Sequence, residues 1–196
     1  YTGQRLKKSH KVFHVLGTID KLSATMGMAV ASMRNACVDR YYSNYIIEIQ
    51  KYLISIGSCI GTMESDMKRK KNFTMINYDG EKKLEELEKR IDELTHSLPK
   101  LKTFIIPKKE ISCRVHLCRV VTRECERELI DLADIAHKEN FNLEKKYFNR
   151  LSDYFFELAR KMEKLEEQRN NRKNIYCLCV FLLFVSIISS IFLNIK

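Results

Sequence analysis

Seven apolar side chains, Leu143, Tyr147, Leu151, Tyr154, Leu158, Met162 and Leu165, recur at spacings of three and four residues. That is the helical period, so the segment from about Asn142 to Arg169 is predicted to lay one face of a long helix against partners. Leu84, Leu87, Ile91 and Leu94 mark a second amphipathic helix that stops before Pro99. Residues 17–34 and 41–63 carry apolar positions at mixed three- and four-residue spacing, and a further long helix is expected from about Ser112 to Lys138. Only 6 glycines and 2 prolines punctuate 196 residues, which leaves little room for a turn-rich sheet. The expected class is all-α, an antiparallel bundle of four or five helices. Residues 1–16 read as a basic segment, Leu101–Pro107 as extended, and the run Lys68 to Lys71 as a solvated loop.

The C-terminal end departs from the amphipathic pattern. Residues 175–195 hold 21 positions without a charge, rich in Ile, Leu, Phe and Val. At ~1.5 Å per residue such a run matches a bilayer core of ~30 Å, so a transmembrane helix is expected there, with a cytosol-facing tail anchor as its topology. The division that follows is a helical bundle over 1–168, a basic linker over 169–174 and a membrane span over 175–195. Arg169, Arg172 and Lys173 supply the positive flank. The chain opens on Tyr1 rather than Met, which reads as a fragment or a processed form. Seven cysteines without a CxxC pair argue against a disulfide framework, and no His lies at ligand spacing from Cys118 or Cys125, so no metal site is expected. A reducing compartment fits. Asn72 begins a glycosylation acceptor pattern that matters only in a secretory lumen.

A formal charge of +10 calls for an anionic partner. The basic residues are interleaved with Glu and no recognition motif is present, which disfavours nucleic acid. Arg119, Arg123 and then Glu126 or Arg127 recur at helical spacing, so guanidinium forks stack along one helix face. Such a row suits bidentate capture of a polyphosphate. Beside it, His116 reads as a packing residue and the Tyr147–Phe156 aromatics as core.

Five blocks then resemble, in order, the PduO-type ATP:cob(I)alamin adenosyltransferases, which include the mitochondrial corrinoid adenosyltransferases. Thr2, Gly3, Gln4 and Arg5 with Lys8 resemble the end of the family's nucleotide segment. Gly17, Thr18, Asp20 and Leu22 resemble its GTxDxL helix start. Leu98, Pro99 and Leu101, then Phe104 to Pro107, resemble its LPxL and FILP segments. His116, Arg119, Arg123, Glu126 and Arg127 resemble its Arg-rich helix, and Phe148 to Arg160 resembles the signature of its last helix. The resemblance implies a five-helix bundle, a homotrimer with active sites between subunits, and transfer of the 5′-deoxyadenosyl group of ATP to cob(I)alamin with release of triphosphate. It implies ATP and cobalamin as ligands, Mg²⁺ accompanying the triphosphate, and a mitochondrial location. By the same resemblance Arg119, Arg123 and Asp20 are catalytic, Asp20 pairing with Arg119 across the subunit interface. Thr2, Gly3, Lys8, Arg123, Glu126, Arg127 and Asn149 would hold ATP, and Phe104 would cover the lower face of the corrin.

The chain departs from that pattern at several places. It begins after the family's Gly-rich start, Lys108 and Lys109 replace the glycines after the FILP segment, and the loop there is one residue shorter. Glu124 stands where a second consecutive Arg is usual, and Ser9, His10 and Lys21 stand where acidic residues are usual. A reversed charge at a triphosphate site costs a few kcal/mol, roughly a hundredfold in rate. Two other classes share part of the features: a catalytically degenerate corrinoid- or ATP-binding relative, and a tail-anchored helical adaptor drawn to anionic lipid. The enzyme alone needs Arg119, Arg123, Asn149 and Asp20 together.

Overall fold

The computed structural model describes residues 7–61, 79–135 and 141–194, with side chains described as far as Leu182. Thr2, Gly3, the Lys68–Lys71 run and the Asn72 acceptor pattern lie outside these residues. Five helices follow one another: α1 Lys11–Asn35, α2 Arg40–Gly61, α3 Gly80–His96, α4 Glu110–Ile135 and α5 Asn142–Asn194. α1 and α2 run antiparallel, early Leu16 lying beside late Gly57 and Gly61 while Gln50 Nε2 donates to the Ser23 carbonyl at 2.8 Å, and so do α4 and α5, where Asn149 of early α5 reaches Glu126 of late α4 at 3.0 Å. The expected all-α, five-helix architecture is present.

α1 begins earlier than the apolar pattern suggested, because Val12 and Val15 are buried and extend its core stripe toward the N-terminus. His10 caps it, its Nδ1 accepting from the Val12 N–H at 3.4 Å. The α1–α2 turn closes on Cys37, whose φ of 51° places a non-glycine residue in the left-handed region. The Cys37 and Val38 N–H groups donate back to the Arg34 and Met33 carbonyls at 3.0 and 2.9 Å, which satisfies the end of α1. At Gly80, by contrast, space decides: a Cβ would stand 2.5 Å from Leu143 Cδ2.

The core is one cluster to which every helix contributes. Tyr147, Phe148, Leu151, Tyr154, Phe155, Leu158 and Met162 of α5 are all buried, so the predicted seam is the inner face of α5. Two aromatic pairs stitch it to α2: Tyr52 with Tyr147 at 4.7 Å and Tyr45 with Tyr154 at 5.3 Å between ring centroids. α3 is fastened to α2 by the Arg90 guanidinium, which lies over the Tyr45 and Tyr41 rings at 4.2 and 4.5 Å.

The C-terminal expectation is corrected. Among the described residues no helix is long and apolar enough to cross a membrane, which overturns the transmembrane helix over 175–195 and the tail anchor built on it. Residues 169–174, expected as a linker, are helical. Neither Gly nor Pro occurs from Asn142 to Asn194, and Lys, Arg, Glu and Gln propagate a helix readily, so nothing stops α5 at Arg169. The apolar run is therefore the far part of a helix charged over much of its length.

Candidate active site

α4 has two faces. Ile111, Val115, Cys118, Thr122, Cys125, Leu129 and Leu132 are buried against α1 and α5. Burial pushes the Cys118 and Cys125 thiols up to about 12, so both are inert packing groups. The opposite face carries Leu117, Val120, Arg123, Arg127 and Ile130, all exposed, with His116 and Arg119 half-buried at its edge.

The extended segment 101–107 stands off this outer face and borders an open cavity of about 1070 Å³. Leu101, Ile105, Leu117, Val120 and Phe156 make it mainly apolar, with Lys102, His116 and Arg119 among its polar residues. Phe104 lies at its rim with its ring fully in solvent. The Arg119 Nε and the His116 Nε2 are buried and have no hydrogen-bond partner among the described residues. Burial, helped by the Arg119 charge and opposed by Glu163, holds the His116 pKa below its usual value, so the imidazole is neutral at pH 7. A buried guanidinium N–H without an acceptor is costly, and it invites a carboxylate or phosphate oxygen.

One turn along α4 a polar network begins. Asn149 Nδ2 donates to Glu126 Oε1 at 3.0 Å, and Arg150 donates to Asn149 Oδ1 at 2.8 Å. Arg123 lies 3.9 Å from the other Glu126 oxygen, and Arg150 pairs with Asp153 at 2.9 Å. Glu126 is the largely buried anchor, while Arg123 keeps half of its side chain in solvent. The structure thus joins Arg123, Glu126 and Asn149 and sets Arg119 against the cavity that Phe104 rims. Arg127 and Lys8 are exposed. Asp20 is exposed on α1 and makes no ion pair with Arg119 within the chain.

Two features escaped the sequence reading. Glu124, expected as a reversed charge at an anion site, is held by Lys21, whose Nζ lies 2.7 and 3.1 Å from its two oxygens. Both positions depart in sign from the family pattern, and the two departures meet as one α1–α4 ion pair. Their simultaneous reversal was the available signal. The second feature is the start of α4. Glu166 accepts from the Ile111 and Ser112 N–H groups at 3.1 and 3.2 Å, and Glu163 accepts from Lys108 and Lys109 at 3.3 Å each. Two carboxylates from α5 thereby meet the positive end of α4.

The family model for cobalamin adenosyltransferase matches residues 1–162. The chain belongs to the cobalamin adenosyltransferase family. The human corrinoid adenosyltransferase MMAB is 34% identical over 90% of this chain and 67% of its own length, and the mouse protein is 34% identical over 82% and 65%. The PduO corrinoid adenosyltransferase of Citrobacter freundii is 28% identical over 87% of this chain and 48% of its own length. The chain therefore spans about two thirds of these mammalian family members and about half of the bacterial one. A variant of the PduO-type ATP:corrinoid adenosyltransferase from Lactobacillus reuteri, complexed with cobalamin and ATP, superposes with a TM-score of 0.69 at 28% identity, covering 84% of each chain. A further variant of it, complexed with ATP, gives 0.70 at 27% identity over 84% of this chain and 88% of that one.

Proposed function

We propose that this protein transfers the 5′-deoxyadenosyl group of ATP to cob(I)alamin, giving adenosylcobalamin and triphosphate. The observation that carries the reading is the adjacency of two unlike sites on one helix face. A large apolar cavity adjoins Arg119, and one turn away an Arg–Glu–Asn cluster presents cations and a carboxamide. A corrinoid needs the first and a nucleoside triphosphate the second. In the reaction the bond from C5′ to the triphosphate oxygen breaks as the cobalt–carbon bond forms, and negative charge moves onto the leaving triphosphate. Arg119, Arg123 and Arg127 are assigned to that charge, which preorganised guanidinium groups stabilise without rearranging. Lys8, with Thr2 and Gly3, would hold phosphate. Asn149 would hydrogen-bond the nucleotide, oriented by Glu126. Phe104 would lie under the corrin, excluding a lower axial ligand by apolar bulk.

Among the described residues no three His, Cys, Asp or Glu side chains cluster to hold a metal. Mg²⁺ is assigned to the triphosphate, where it supplies charge neutralisation. The protein is assigned to mitochondria, with the class it resembles. Its assembly is proposed to be a homotrimer, in which Asp20 of a neighbouring copy meets the unpaired Arg119 Nε. Exposed Phe13 and Met28 on α1 and Val120 and Ile130 on α4 give that contact an apolar surface to cover.

Calorimetric titration with Mg-ATP and with cobalamin separately tests the division of the site. Phe104→Ala should weaken cobalamin and leave ATP unchanged, and Asn149→Ala should do the reverse, each by about tenfold. If both variants weaken one ligand only, the two subsites are wrongly placed.

A further inference from the structure

Segment 101–107 forms one wall of the cavity, yet neither it nor Lys100 makes a backbone hydrogen bond to the bundle among the described residues. What fixes it lies at its two ends, and both fixings come from α5. Upstream, Arg160 donates to the Pro99 carbonyl at 2.5 Å, while its other terminal nitrogen is paired with Glu157 at 2.6 Å. Next to it Lys161 reaches the Ser97 hydroxyl at 3.1 Å. Downstream, Glu163 accepts from the backbone N–H groups of Lys108 and Lys109, and Glu166 from those of Ile111 and Ser112. The segment is therefore a strap between two clamps, and three of the residues that pin it, Arg160, Glu163 and Glu166, are three positions apart along α5.

We infer that Glu163 is a positioning residue: by holding the Lys108 and Lys109 backbone it sets the height of the strap, and so the fit of the cavity to its flat, bulky ligand. The inference rests on the reading of the cavity as the corrinoid subsite. Charge favours the arrangement, since Glu163 meets N–H groups at the positive end of α4. It also explains how a strap ending in Lys108 and Lys109 rather than in glycines is held, because its N–H groups find acceptors in α5 and not in a turn of their own. Glu163 touches no reacting group; it acts on the cavity through the strap, and its charge also reaches His116.

The test compares the full chain with its Glu163→Ala and Glu163→Gln variants by amide hydrogen exchange and by separate titrations with cobalamin and Mg-ATP. Glu163→Ala should speed exchange over 101–109 while leaving 119–133 unchanged. It should weaken cobalamin about tenfold and leave ATP within about twofold. Glu163→Gln keeps one acceptor oxygen and should recover much of the cobalamin affinity. Faster strap exchange with wild-type cobalamin affinity would overturn the inference, as would equal weakening of both ligands, which marks a general loss of packing. A wild-type chain with a protected strap and no affinity for cobalamin would remove the corrinoid reading itself, and this inference with it.

Discussion

The inner and outer faces of α4 are made from the same 26 residues and do opposite work. Inward, Val115, Cys118, Cys125 and Leu129 are fully buried, and two thiols are so far from water that they cannot ionise near neutral pH. Outward, Val120 and Ile130 remain exposed, Arg123 is half in solvent, and Arg119 keeps a buried N–H without an acceptor. The inner face is packed against α1 and α5 within one chain. The outer face keeps apolar side chains in solvent and, among the described residues, a buried guanidinium N–H without an acceptor. Stability and function are thus separable on one helix, and substitutions on the two faces should register in different measurements.

The largest expected effect is on the inner face. Leu129→Ala should lower unfolding free energy by about 2–5 kcal/mol in chemical denaturation, because a fully buried leucine leaves a cavity behind. Arg123→Ala should do the reverse: product formation should fall roughly a hundredfold, ~2.7 kcal/mol, while the melting temperature stays within a degree or two. A comparable loss of stability in Arg123→Ala would erase the distinction between the faces.

Smaller effects sharpen the comparison. His116 has a folded pKa below its ordinary 6.5, so the unfolded chain takes up a proton first as pH falls. Its contribution is therefore constant above that value and is lost as pH drops through the lowered folded one. Wild-type stability should fall as pH drops below about 6.5, and His116→Gln should flatten that part of the slope. Glu124→Arg should cost under about 1 kcal/mol, since the Lys21–Glu124 pair is substantially exposed. The exchanged pair, Lys21→Glu with Glu124→Arg, should regain what the single change loses. If Glu124→Arg raises transfer strongly by itself, Glu124 does intrude on the anion site.

The α5 seam was legible in sequence because a long, periodic apolar stripe has few alternatives to a buried helix face. The Arg row was legible as a face for the same reason, and Arg123, Glu126 and Asn149 do meet. The tail was misread because its apolar run was counted by itself: residues 169–174, expected as a linker, continue one helix into it, and among the described residues no helix is long and apolar enough to cross a membrane. Glu163 was not legible at all. It reaches backbone N–H groups 54 and 55 residues away, and no local spacing encodes such a contact. Lys21 and Glu124 were noticed singly, 103 positions apart, and only the packing of α1 on α4 makes them one feature.

We propose that the outer face of α4 carries adenosyl transfer. Under anaerobic conditions, cob(I)alamin and Mg-ATP mixed with the protein should give adenosylcobalamin, followed by absorbance, with triphosphate released in equal amount. Arg123→Ala should abolish most of that signal in a protein that still folds. A folded wild-type chain that binds both ligands and forms no cobalt–carbon bond would rule out transfer at this face.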